Sequence, residues 1–565
     1  MTPMTRSIPV GEVRPLGDRA FLIGVADAAA ARALAEELRS VLDGEAEVVC
    51  SAATVMVHAV EADAALGPMP ALVDTVRAAA SGRRARRGLP VDPPRTVTIP
   101  CHFDGPDVEE VAALAGVGPD EVAGLLTAQP LTAAVVGFSP GFAYLEGLPA
   151  PLQQVPRRSR PRPVVPAGSV AIANGRAAVY PTASPGGWHL VGRTGFALFN
   201  AERSPYAVLA PGDRVQFTVA GHSDAAQPTP VAPPPWSAPA GARAVFEIVA
   251  PGLRAVVQDG GRRAVAAVGV PAAGPADPVS FALANRLTGN EPGSGALELT
   301  GGGTLLRCLG ACHVAVVGAA PDVRVDGTAE RAGQLLPLNA GQVLDIGRQR
   351  AGCRSYLAVA GGILGPEWFA SAGTDELTGL GAGPLVAGDV VQAGAWAPPL
   401  GDHLVAGGAT ITDVDPSSVV ALRVLPGPHG EQFAPAALTR LAQTVFVVQP
   451  ESNRVGVRLR PETGAVVLRE GSGGGGLDSQ GVVTGAVQVP PDGDPVVLMP
   501  DHATLGGYPV LAVVVAADHG LLGQCAPGTR VRLVPVTPAD ADEARRELRR
   551  EMDGAVVGTY PLAVD

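Results

Sequence analysis

Glycine and proline interrupt this chain so often that they limit what it can fold into. Its 565 residues include 72 glycines and 55 prolines, and both residue types break helices and mark turns. Long helices must therefore be few, and short strands joined by tight turns are favoured. The length is sufficient for several domains, each with its own core. The sequence predicts a mainly β protein.

The charge balance restricts the partners. The formal net charge is −12 at pH 7, which argues against nucleic acid or an anionic membrane as the main partner. No apolar run approaches the roughly 20 residues that span a bilayer, and the first residues lack the apolar region of a signal peptide. We therefore expect a cytoplasmic protein that binds neither nucleic acid nor membrane.

Every basic residue is an arginine, because the 42 lysine and arginine positions contain no lysine. The chain thus has no P-loop lysine, no Schiff-base lysine and no lysine that could carry covalent biotin. Anions must be recognised by arginine guanidinium groups or by backbone N–H groups.

The six cysteines are scattered, apart from Cys308 and Cys312, which precede His313. Their spacing resembles a metal cluster, but they lie in an apolar strand pattern. A buried core pair in a reducing compartment is favoured over zinc, and no metal site is predicted.

A recurring phrase indicates repeated β-barrels. A glycine turn followed by an alternating valine strand occurs at 208–217, 385–394 and 524–533, with shorter echoes at 167–173 and 340–346. Such a turn feeding a period-2 strand is typical of antiparallel β structure. We infer one barrel in the first half of the chain and two in the second.

The predicted domain order begins with a small α+β domain of ferredoxin-like type, because a strand, an amphipathic helix at Asp27–Leu42 and a second strand follow one another. Further local predictions are a helix near 71–80, a basic flexible segment at 81–88 and a mobile glycine loop at 472–476. The predicted parts are the α+β domain (1–95), the first barrel (96–220), a Pro/Ala-rich linker (221–243), the region of two further barrels (244–535), and a C-terminal helix and tail (536–565).

The stretch Gly137–Thr194 concentrates aromatic and arginine residues in a chain otherwise poor in aromatics. Arginine forks suit carboxylate or phosphate, paired glycines allow close backbone approach, and the aromatic rings could wall a planar ligand. A turn with a surface basic loop is the alternative, and both interpretations stay open. If it is a site, we expect the second half of the chain to complete it. The candidate substrate-binding residues here are Phe138, Tyr144, Arg157, Arg162, Tyr180, Gly186, Gly187, Trp188 and Arg193.

Two groups in the second half are further candidates. Asp and Arg side chains on one loop could grip opposite ends of an amide or carboxylate, and an aspartate could act as a base if burial raised its pKa. A helix cap and a surface salt bridge are the alternatives. The candidate catalytic residues are Asp259, Arg262 and Asp277. The further substrate-binding candidates are Gln258, Asn285, Gln488, Gly507 and Tyr508, where the Gly-Gly-Tyr corner parallels Gly-Gly-Trp at 186–188.

These motifs resemble a known pair of families. GFSPGFAYLEGL (137–148), PAGSV (166–170) and SPGGWHLVGRT (184–194) are similar to the B subunit of bacterial 5-oxoprolinase, whose family includes a sporulation-kinase inhibitor and half of the urea carboxylase carboxyltransferase domain. VQDGGR (257–262), NRVGVRL (453–459) and DHATLGGYP (501–509) resemble the companion C subunit, which is also described as allophanate-hydrolase-like. Two family features are missing, a His and Tyr before the first motif and an Arg within Ser371–Thr374.

The resemblance implies cyclophilin-like β-barrels and a natural fusion of the B and C subunits. It implies ATP-dependent opening of 5-oxoproline to glutamate together with a separate A-type subunit of 5-oxoprolinase, so that ATP and Mg²⁺ act in the assembled complex on a small-molecule substrate. Self-association as a homo-oligomer is compatible with it. Two alternatives stay open: a carboxyltransferase component of a biotin-dependent urea carboxylase, and a non-catalytic protein like the kinase inhibitor.

Overall fold

The computed structural model describes residues 11–561 except 43, 45, 60–94, 159, 161, 222–240, 320, 396–401, 407–413, 416 and 465–476. The predicted helix near 71–80, the basic segment at 81–88, most of the linker and the glycine loop at 472–476 lie outside the described residues. None of the helices within the described part combines the length and the apolar character that a bilayer span requires.

Outside the undescribed residues 60–94, the N-terminal domain comprises a four-stranded antiparallel sheet with one helix on it. The helix joins two strands that lie on either side of a third, which is the split β–α–β connection of ferredoxin-like domains. Its apolar stripe, including Ala35 and Leu38, is buried. The sheet order is β1-β2-β4-β3, and the elements are β1 (Val13–Pro15), β2 (Ala20–Gly24), α1 (Ala28–Leu42), β3 (Ala46–Cys50) and β4 (Thr54–Ala59).

The first barrel follows. Its seven-stranded sheet closes through a bridge between His102 and Arg193, whose backbone groups exchange hydrogen bonds of 2.8 Å. A two-stranded ribbon, β8–β11, extends from it. The elements are β5 (Thr96–Cys101), α2 (Val108–Ala115), α3 (Pro119–Thr127), β6 (Leu131–Val136), β7 (Ala143–Glu146), α4 (Ala150–Gln153), β8 (Arg162–Val165), β9 (Ser169–Ala173), β10 (Arg176–Val179), β11 (Ser184–Gly186), β12 (His189–Arg193) and β13 (Arg214–Val219).

Residues 243–393 form two facing sheets, of seven and five strands, around one core, where the sequence predicted a closed barrel. The seven-stranded sheet has the order β20-β19-β22-β17-β14-β25-β24, and the five-stranded sheet has the order β15-β16-β23-β18-β21. The elements are β14 (Arg243–Pro251), β15 (Arg254–Gln258), α5 (Pro278–Leu287), β16 (Ala296–Thr300), β17 (Thr304–Cys308), β18 (Cys312–Val317), β19 (Pro321–Val325), β20 (Thr328–Glu330), β21 (Leu335–Leu338), β22 (Val343–Gln349), β23 (Arg354–Val359), β24 (Ile363–Leu364) and β25 (Val390–Ala393).

The last barrel is closed and has seven strands. A polar helix follows it, capped at Thr537, whose hydroxyl lies 2.7 Å from the Asp540 carboxylate, and the helix leads into a strand paired with β26 where the sequence predicted a tail. The elements are β26 (Asp402–Ala406), β27 (Val419–Pro426), α6 (Ala437–Gln443), β28 (Phe446–Val448), β29 (Gly456–Pro461), β30 (Gln480–Gly481), β31 (Ala486–Gln488), β32 (Val496–Leu498), β33 (Leu505–Gly506), β34 (Val510–Val514), α7 (His519–Gly523), β35 (Arg530–Pro535), α8 (Pro538–Ala555) and β36 (Val556–Pro561).

The two closed barrels share one topology. If the seven strands of each are numbered along the chain, leaving the ribbon strands aside, both rings run 1-6-4-5-3-2-7. In each, the first and last strands pair in parallel. Each also carries one ribbon, β8–β11 in the first and β30–β33 in the last. The corners Gly-Gly-Trp and Gly-Gly-Tyr, at the ends of β11 and β33, are therefore equivalent, as the sequence suggested.

The recurring phrase behaves as predicted. All five occurrences place a glycine with positive φ one or two residues before the start of a strand, for example Gly212 before β13 and Gly528 before β35. A glycine tolerates this left-handed conformation without the steric cost that a side chain would add. The fold is thus mainly β, with β-barrels and an α+β N-terminal domain.

Candidate functional site

The aromatic residues of the central stretch form a core cluster. Phe142 is its centre, with ring centroids of Phe138, Tyr144, Tyr180 and Trp188 between 5.0 and 6.2 Å away in edge-on geometry. Apart from half-buried Phe138, all of them are buried. Tyr144 and Trp188, the predicted wall for a planar ligand, therefore pack against each other and into one cluster with Phe138 and Tyr180, and the contact of these four residues with a substrate stays a prediction.

Most of the nearby arginines are neutralised within the protein. Arg162 lies 2.7 Å from the buried Asp107 carboxylate, which Arg158 also reaches at 3.0 Å, and Arg193 is bound by Asp104 at 2.8 Å. Burial raises the pKa of Asp107, but Arg162 and the other partners outweigh it and lower the pKa overall. The structure thus corrects the prediction that Arg162 and Arg193 are free for an anion.

Arg157 differs from those arginines. It is exposed and has no hydrogen-bond or ion-pair partner among the described residues. Burial raises the pKa of the Tyr144 and Tyr180 hydroxyls, and the charge of Arg157 acts on both in the opposite direction. Its guanidinium therefore sits beside the cluster with its anion-binding capacity unused.

The two halves of the chain meet at this stretch, as the sequence predicted. The Tyr144 hydroxyl lies 3.1 Å from Ser479 Oγ, and Arg176 binds Asp478 at 2.9 Å. A Cβ on Gly137 would lie 2.4 Å from the Leu505 side chain, so only glycine permits this approach. One apolar core joins both barrels and the N-terminal sheet here. We call this contact, between the first barrel and the ribbon of the last barrel, the ribbon interface.

The ribbon interface contains the last group of predicted residues and several unpaired polar atoms. Gln488 is buried, and a Cβ on the neighbouring Gly506 would lie 2.4 Å from its Nε2. Gly507 is half-buried, and Tyr508 is exposed. Buried polar groups normally find hydrogen-bond partners, so unsatisfied atoms indicate where a ligand or water would bind. Those within the described residues of this interface are Gln488 Nε2, Ser139 Oγ, Ser184 Oγ and Thr504 Oγ1.

Gln258, Asp259 and Arg262 are bonded within the protein, and their contact with substrate stays a prediction. Asp259 accepts hydrogen bonds of 2.6 Å from the Ser371 hydroxyl and from the Ala372 backbone. Gln258 donates to Thr374 O at 2.7 Å. Arg262, with no exposed side-chain surface, donates to Gly373 O and Asp375. Together they fix the loop at 371–375.

Asp277 and Asn285 are likewise fully buried and bonded within the protein. Asp277 caps helix α5 through the backbone N–H groups of Val279 and Ser280, both at 3.0 Å, and it accepts a bond of 2.7 Å from Gln524. Asn285 donates to Ser294 O at 2.8 Å. The helix-cap alternative for Asp277 is thus confirmed, and its predicted action as a catalytic base is not supported by its surroundings.

A buried charge network was missed by sequence reasoning. Arg454 donates to Glu298 at 2.8 and 2.9 Å, to Asp501 at 2.8 and 2.9 Å, and to Gly274 O at 2.6 Å. Glu298 also accepts from the Tyr356 hydroxyl and the Ala276 backbone. Its pKa is lowered although burial raises it, because Arg454 and Arg354 outweigh the burial. The network fixes the backbone at 274–277 between the facing sheets and the last barrel.

That backbone forms one side of a cleft of about 210 Å³. Three parts of the molecule line it: the β1–β2 turn and β4 of the N-terminal domain, the segment at 273–278, and the last barrel at 483–484, 499–500 and 513–522. The volume corresponds to about seven waters. Its polar side chains are Asp18, Arg19, His58, Thr484 and His519.

The cleft contains one cation, Arg19, one carboxylate, Asp18, and two imidazoles, His58 and His519. Burial lowers the pKa of Arg19, whose hydrogen bond to Ala59 O is long at 3.4 Å. Burial lowers the pKa of His58 to about 3 and also lowers the pKa of His519, so both imidazoles are neutral at pH 7. The Nε2 atom of His519 is buried without a partner among the described residues. The cleft thus offers a buried guanidinium, on whose pKa the charge of Asp18 acts against burial, and a His519 Nε2 atom without a hydrogen-bond partner among the described residues.

Within the described part of the chain, no three His, Cys, Asp or Glu side chains converge as a metal site. The sequence could not reveal the cleft, since its lining comes from segments far apart in the chain, and neither Arg19 nor the lining histidines His58 and His519 stand in a recognisable motif.

The two matching barrels, facing sheets and joined halves define a carboxyltransferase-type protein. Two family models match, "Carboxyltransferase domain, subdomain C and D" over residues 11–209 and "Carboxyltransferase domain, subdomain A and B" over residues 268–535. The chain belongs to the family of the B and C subunits of 5-oxoprolinase, fused in one polypeptide.

Individual relatives support both halves. The chain is 33% identical over 312 residues to the C subunit of 5-oxoprolinase from Escherichia coli K12, covering 54% of this chain and 96% of the relative. It is 41% identical over 133 residues to the B subunit of 5-oxoprolinase from Bacillus subtilis, covering 23% of this chain and 55% of the relative. It is 31% identical over 334 residues to urea amidolyase of Lachancea kluyveri, covering 55% of this chain but 18% of that much longer protein.

A solved structure shows the same arrangement over almost the whole chain. The crystal structure of TTHA0988 in space group P212121 superposes with a TM-score of 0.78 and 33% identity, covering 93% of this chain and all of that one. The fused architecture is therefore shared with a known structure.

Proposed function

We propose that this chain supplies the fused B and C components of an ATP-dependent 5-oxoprolinase, which opens 5-oxoproline to glutamate with a separate A-type partner. The observation that carries the proposal is the presence, on one chain, of regions similar to both subunits, joined through a continuous core. The lactam amide is unreactive, so its hydrolysis by water is coupled to ATP hydrolysis to ADP and phosphate.

We place the lactam in the three-domain cleft. The substrate 5-oxoproline is one five-membered ring with a carboxylate, and its size suits a cavity of about 210 Å³. A nucleotide does not fit there, because ligand pockets for larger molecules occupy roughly 300–1,000 Å³. We accordingly assign ATP and Mg²⁺ to the assembled complex, where the partner completes their site.

Arg19 and His519 have distinct roles in this proposal. A substrate carboxylate would compensate the buried Arg19 guanidinium through a charge-assisted hydrogen bond. The unsatisfied His519 Nε2 would bind the lactam amide, and neutral His58 would contribute a second polar contact. The network around Arg454 acts by positioning the 274–277 backbone that closes the cleft.

The test mixes the purified chain, a cognate A-type partner, ATP and 5-oxoproline, and measures glutamate. We expect glutamate only when all four are present, and its absence with an active partner would refute the function. Arg19→Ala should reduce kcat/KM at least tenfold, whereas Arg460→Ala, which removes an exposed pair with Asp494, should not. If Gln488→Ala lost activity while Arg19→Ala kept full activity, the substrate would bind at the ribbon interface, where the sequence predicted a site shared by the two halves, and not in the cleft.

A second candidate is the carboxyltransferase component of a biotin-dependent urea carboxylase, favoured by the similarity to urea amidolyase. Since the chain has no lysine to carry biotin, partners would supply carboxybiotin. Transfer of labelled carbon from free carboxybiotin to urea, without glutamate formation from 5-oxoproline, would favour this candidate.

A further inference from the structure

Two cysteine sulfurs lie within reach of each other at one end of the facing sheets. Cys308 ends β17 and Cys312 begins β18, and their Sγ atoms are 3.7 Å apart. Both side chains are buried in the same apolar core. Each is a free thiol. Only three residues separate the two cysteines in the chain. The proposed function does not use this pair, whose spacing resembles a metal-binding motif.

The two strands are not paired with each other, so the sulfurs form a contact between sheets. β17 pairs with β14 and β22 in the seven-stranded sheet, and β18 pairs with β21 and β23 in the five-stranded sheet. A disulfide bond is about 2.05 Å long, so a small inward movement of two thiols already in contact would join the sheets. The fold thus holds the pair in a geometry that needs little rearrangement.

The surroundings make one of the two thiols reactive. Arg243 donates to Ala311 O at 3.1 Å, in the connection between the cysteines, and its charge favours a thiolate. The pKa of Cys308 is lowered, chiefly because the neighbouring Cys312 thiol hydrogen-bonds to it, and the pKa of Cys312 is raised by the same contact. A thiolate beside a protonated thiol is the arrangement of an attacking and a resolving cysteine.

Access and selectivity follow from the same region. The connecting residues Leu309 and Ala311, which adjoin the two cysteines in the chain, are exposed. The remaining four cysteines lack both features: burial raises the pKa of each, and their sulfurs have no cysteine partner within hydrogen-bond distance among the described residues. A small oxidant reaching this protein therefore meets one reactive pair. The other four cysteines are Cys50, Cys101, Cys353 and Cys525.

We propose that Cys308 and Cys312 are a reversible oxidation site, which hydrogen peroxide converts to a disulfide linking the two sheets. The Cys308 thiolate attacks a peroxide oxygen, the S–O bond forms, the O–O bond breaks, and hydroxide leaves. Cys312 loses its proton and attacks the sulfenic sulfur, the S–S bond forms, and the hydroxyl leaves as water. Both sulfurs are oxidised, the peroxide oxygens are reduced to water, and a thiol reductant reverses the change.

The experiment uses the full chain, reduced, desalted and exposed to hydrogen peroxide, then alkylated under denaturing conditions and digested with trypsin. Because trypsin cuts after arginine, both cysteines fall on the peptide that follows Arg307 and ends at Arg324. We expect this peptide to lose two hydrogen atoms and to escape alkylation. Dithiothreitol treatment before alkylation should restore both thiols.

Variants separate the proposal from general oxidation. Cys312→Ser should prevent the loss and leave Cys308 as a sulfenic acid that dimedone traps, whereas Cys353→Ser should leave the disulfide unchanged. The peptide map of the wild-type chain tests the proposal even if a variant fails to fold. The proposal would be overturned if both thiols in this peptide stayed unmodified while other cysteines oxidised. It would also be overturned if a sulfinic acid formed without a disulfide.

Discussion

Replacing Arg454 by methionine should destabilise the second half of the molecule more than any exposed arginine change. The guanidinium is 3% exposed and pairs with Glu298 and Asp501, neither of which has exposed side-chain surface. Methionine fills much of the same volume but leaves both carboxylates without this partner. Breaking a buried ion pair from one side costs about 3–5 kcal/mol, because the remaining charge is desolvated and uncompensated.

The assay is urea denaturation followed by tryptophan fluorescence, with Arg460→Met as the matched control. Arg460 is 64% exposed and pairs with Asp494, and such surface pairs contribute about 0–1 kcal/mol. The double variant Glu298→Gln/Arg454→Met should recover part of the loss, because neighbouring substitutions in one network are not additive.

The pH dependence of the loss provides a second check. In the wild type, the pKa of Glu298 is lowered on folding, so its contribution to stability is present above its unfolded pKa and is lost as pH falls through the folded value. Without Arg454, the Glu298 carboxyl loses its main opposing charge, and burial favours its uptake of a proton. The deficit of Arg454→Met should thus be larger at pH 7 than at pH 5. A loss below about 1 kcal/mol, or one independent of pH, would refute this account of the network.

Two further predictions concern the contact between the halves and acid sensitivity. Gly269→Ala should lower the melting temperature more than Gly289→Ala, although both glycines have positive φ. A Cβ at Gly269 would lie 2.3 Å from Ser139 O, whereas a Cβ at Gly289 would have no heavy atom within 4 Å. Equal shifts in melting temperature would contradict the tight contact at Gly269. Burial lowers the pKa of His58 to about 3 and of His429 to about 4, so stability should fall as pH drops from about 6.5 towards 4, because the unfolded chain takes up these protons first. Urea denaturation across this range should show a shallower fall in His429→Gln, and identical slopes would show that His429 does not contribute.

The fold was predictable where local sequence determines backbone conformation. A glycine at positive φ followed by alternating valines specifies a turn and a strand without help from distant residues. This is why the strands after Gly168, Gly212 and Gly528 were found at the expected positions. The two-sheet arrangement of 243–393 was not predictable in this way, because the same phrase before β25 serves an open sheet as readily as a closed barrel.

The candidate site was predictable in position but only partly in role. Arg262 reads as a ligand-binding residue beside Gln258, yet its partner Asp375 is 113 residues away along the chain. Arg454 and Glu298 are separated by 156 residues. Nothing local distinguishes an arginine that awaits an anion from one that the fold already neutralises. The long-range pairing decides that difference.

The equivalent corners of the two barrels illustrate the same limit. Trp188 and Tyr508 follow paired glycines at the ends of equivalent ribbon strands, β11 and β33. Trp188 is 6% exposed because Phe142 and Tyr144 pack against it, whereas Tyr508 remains 37% exposed. Since a buried ring stabilises the core and an exposed ring is free to contact another molecule, one sequence pattern serves two purposes. The Tyr508 ring is therefore exposed at a corner whose equivalent in the first barrel is closed by aromatic packing.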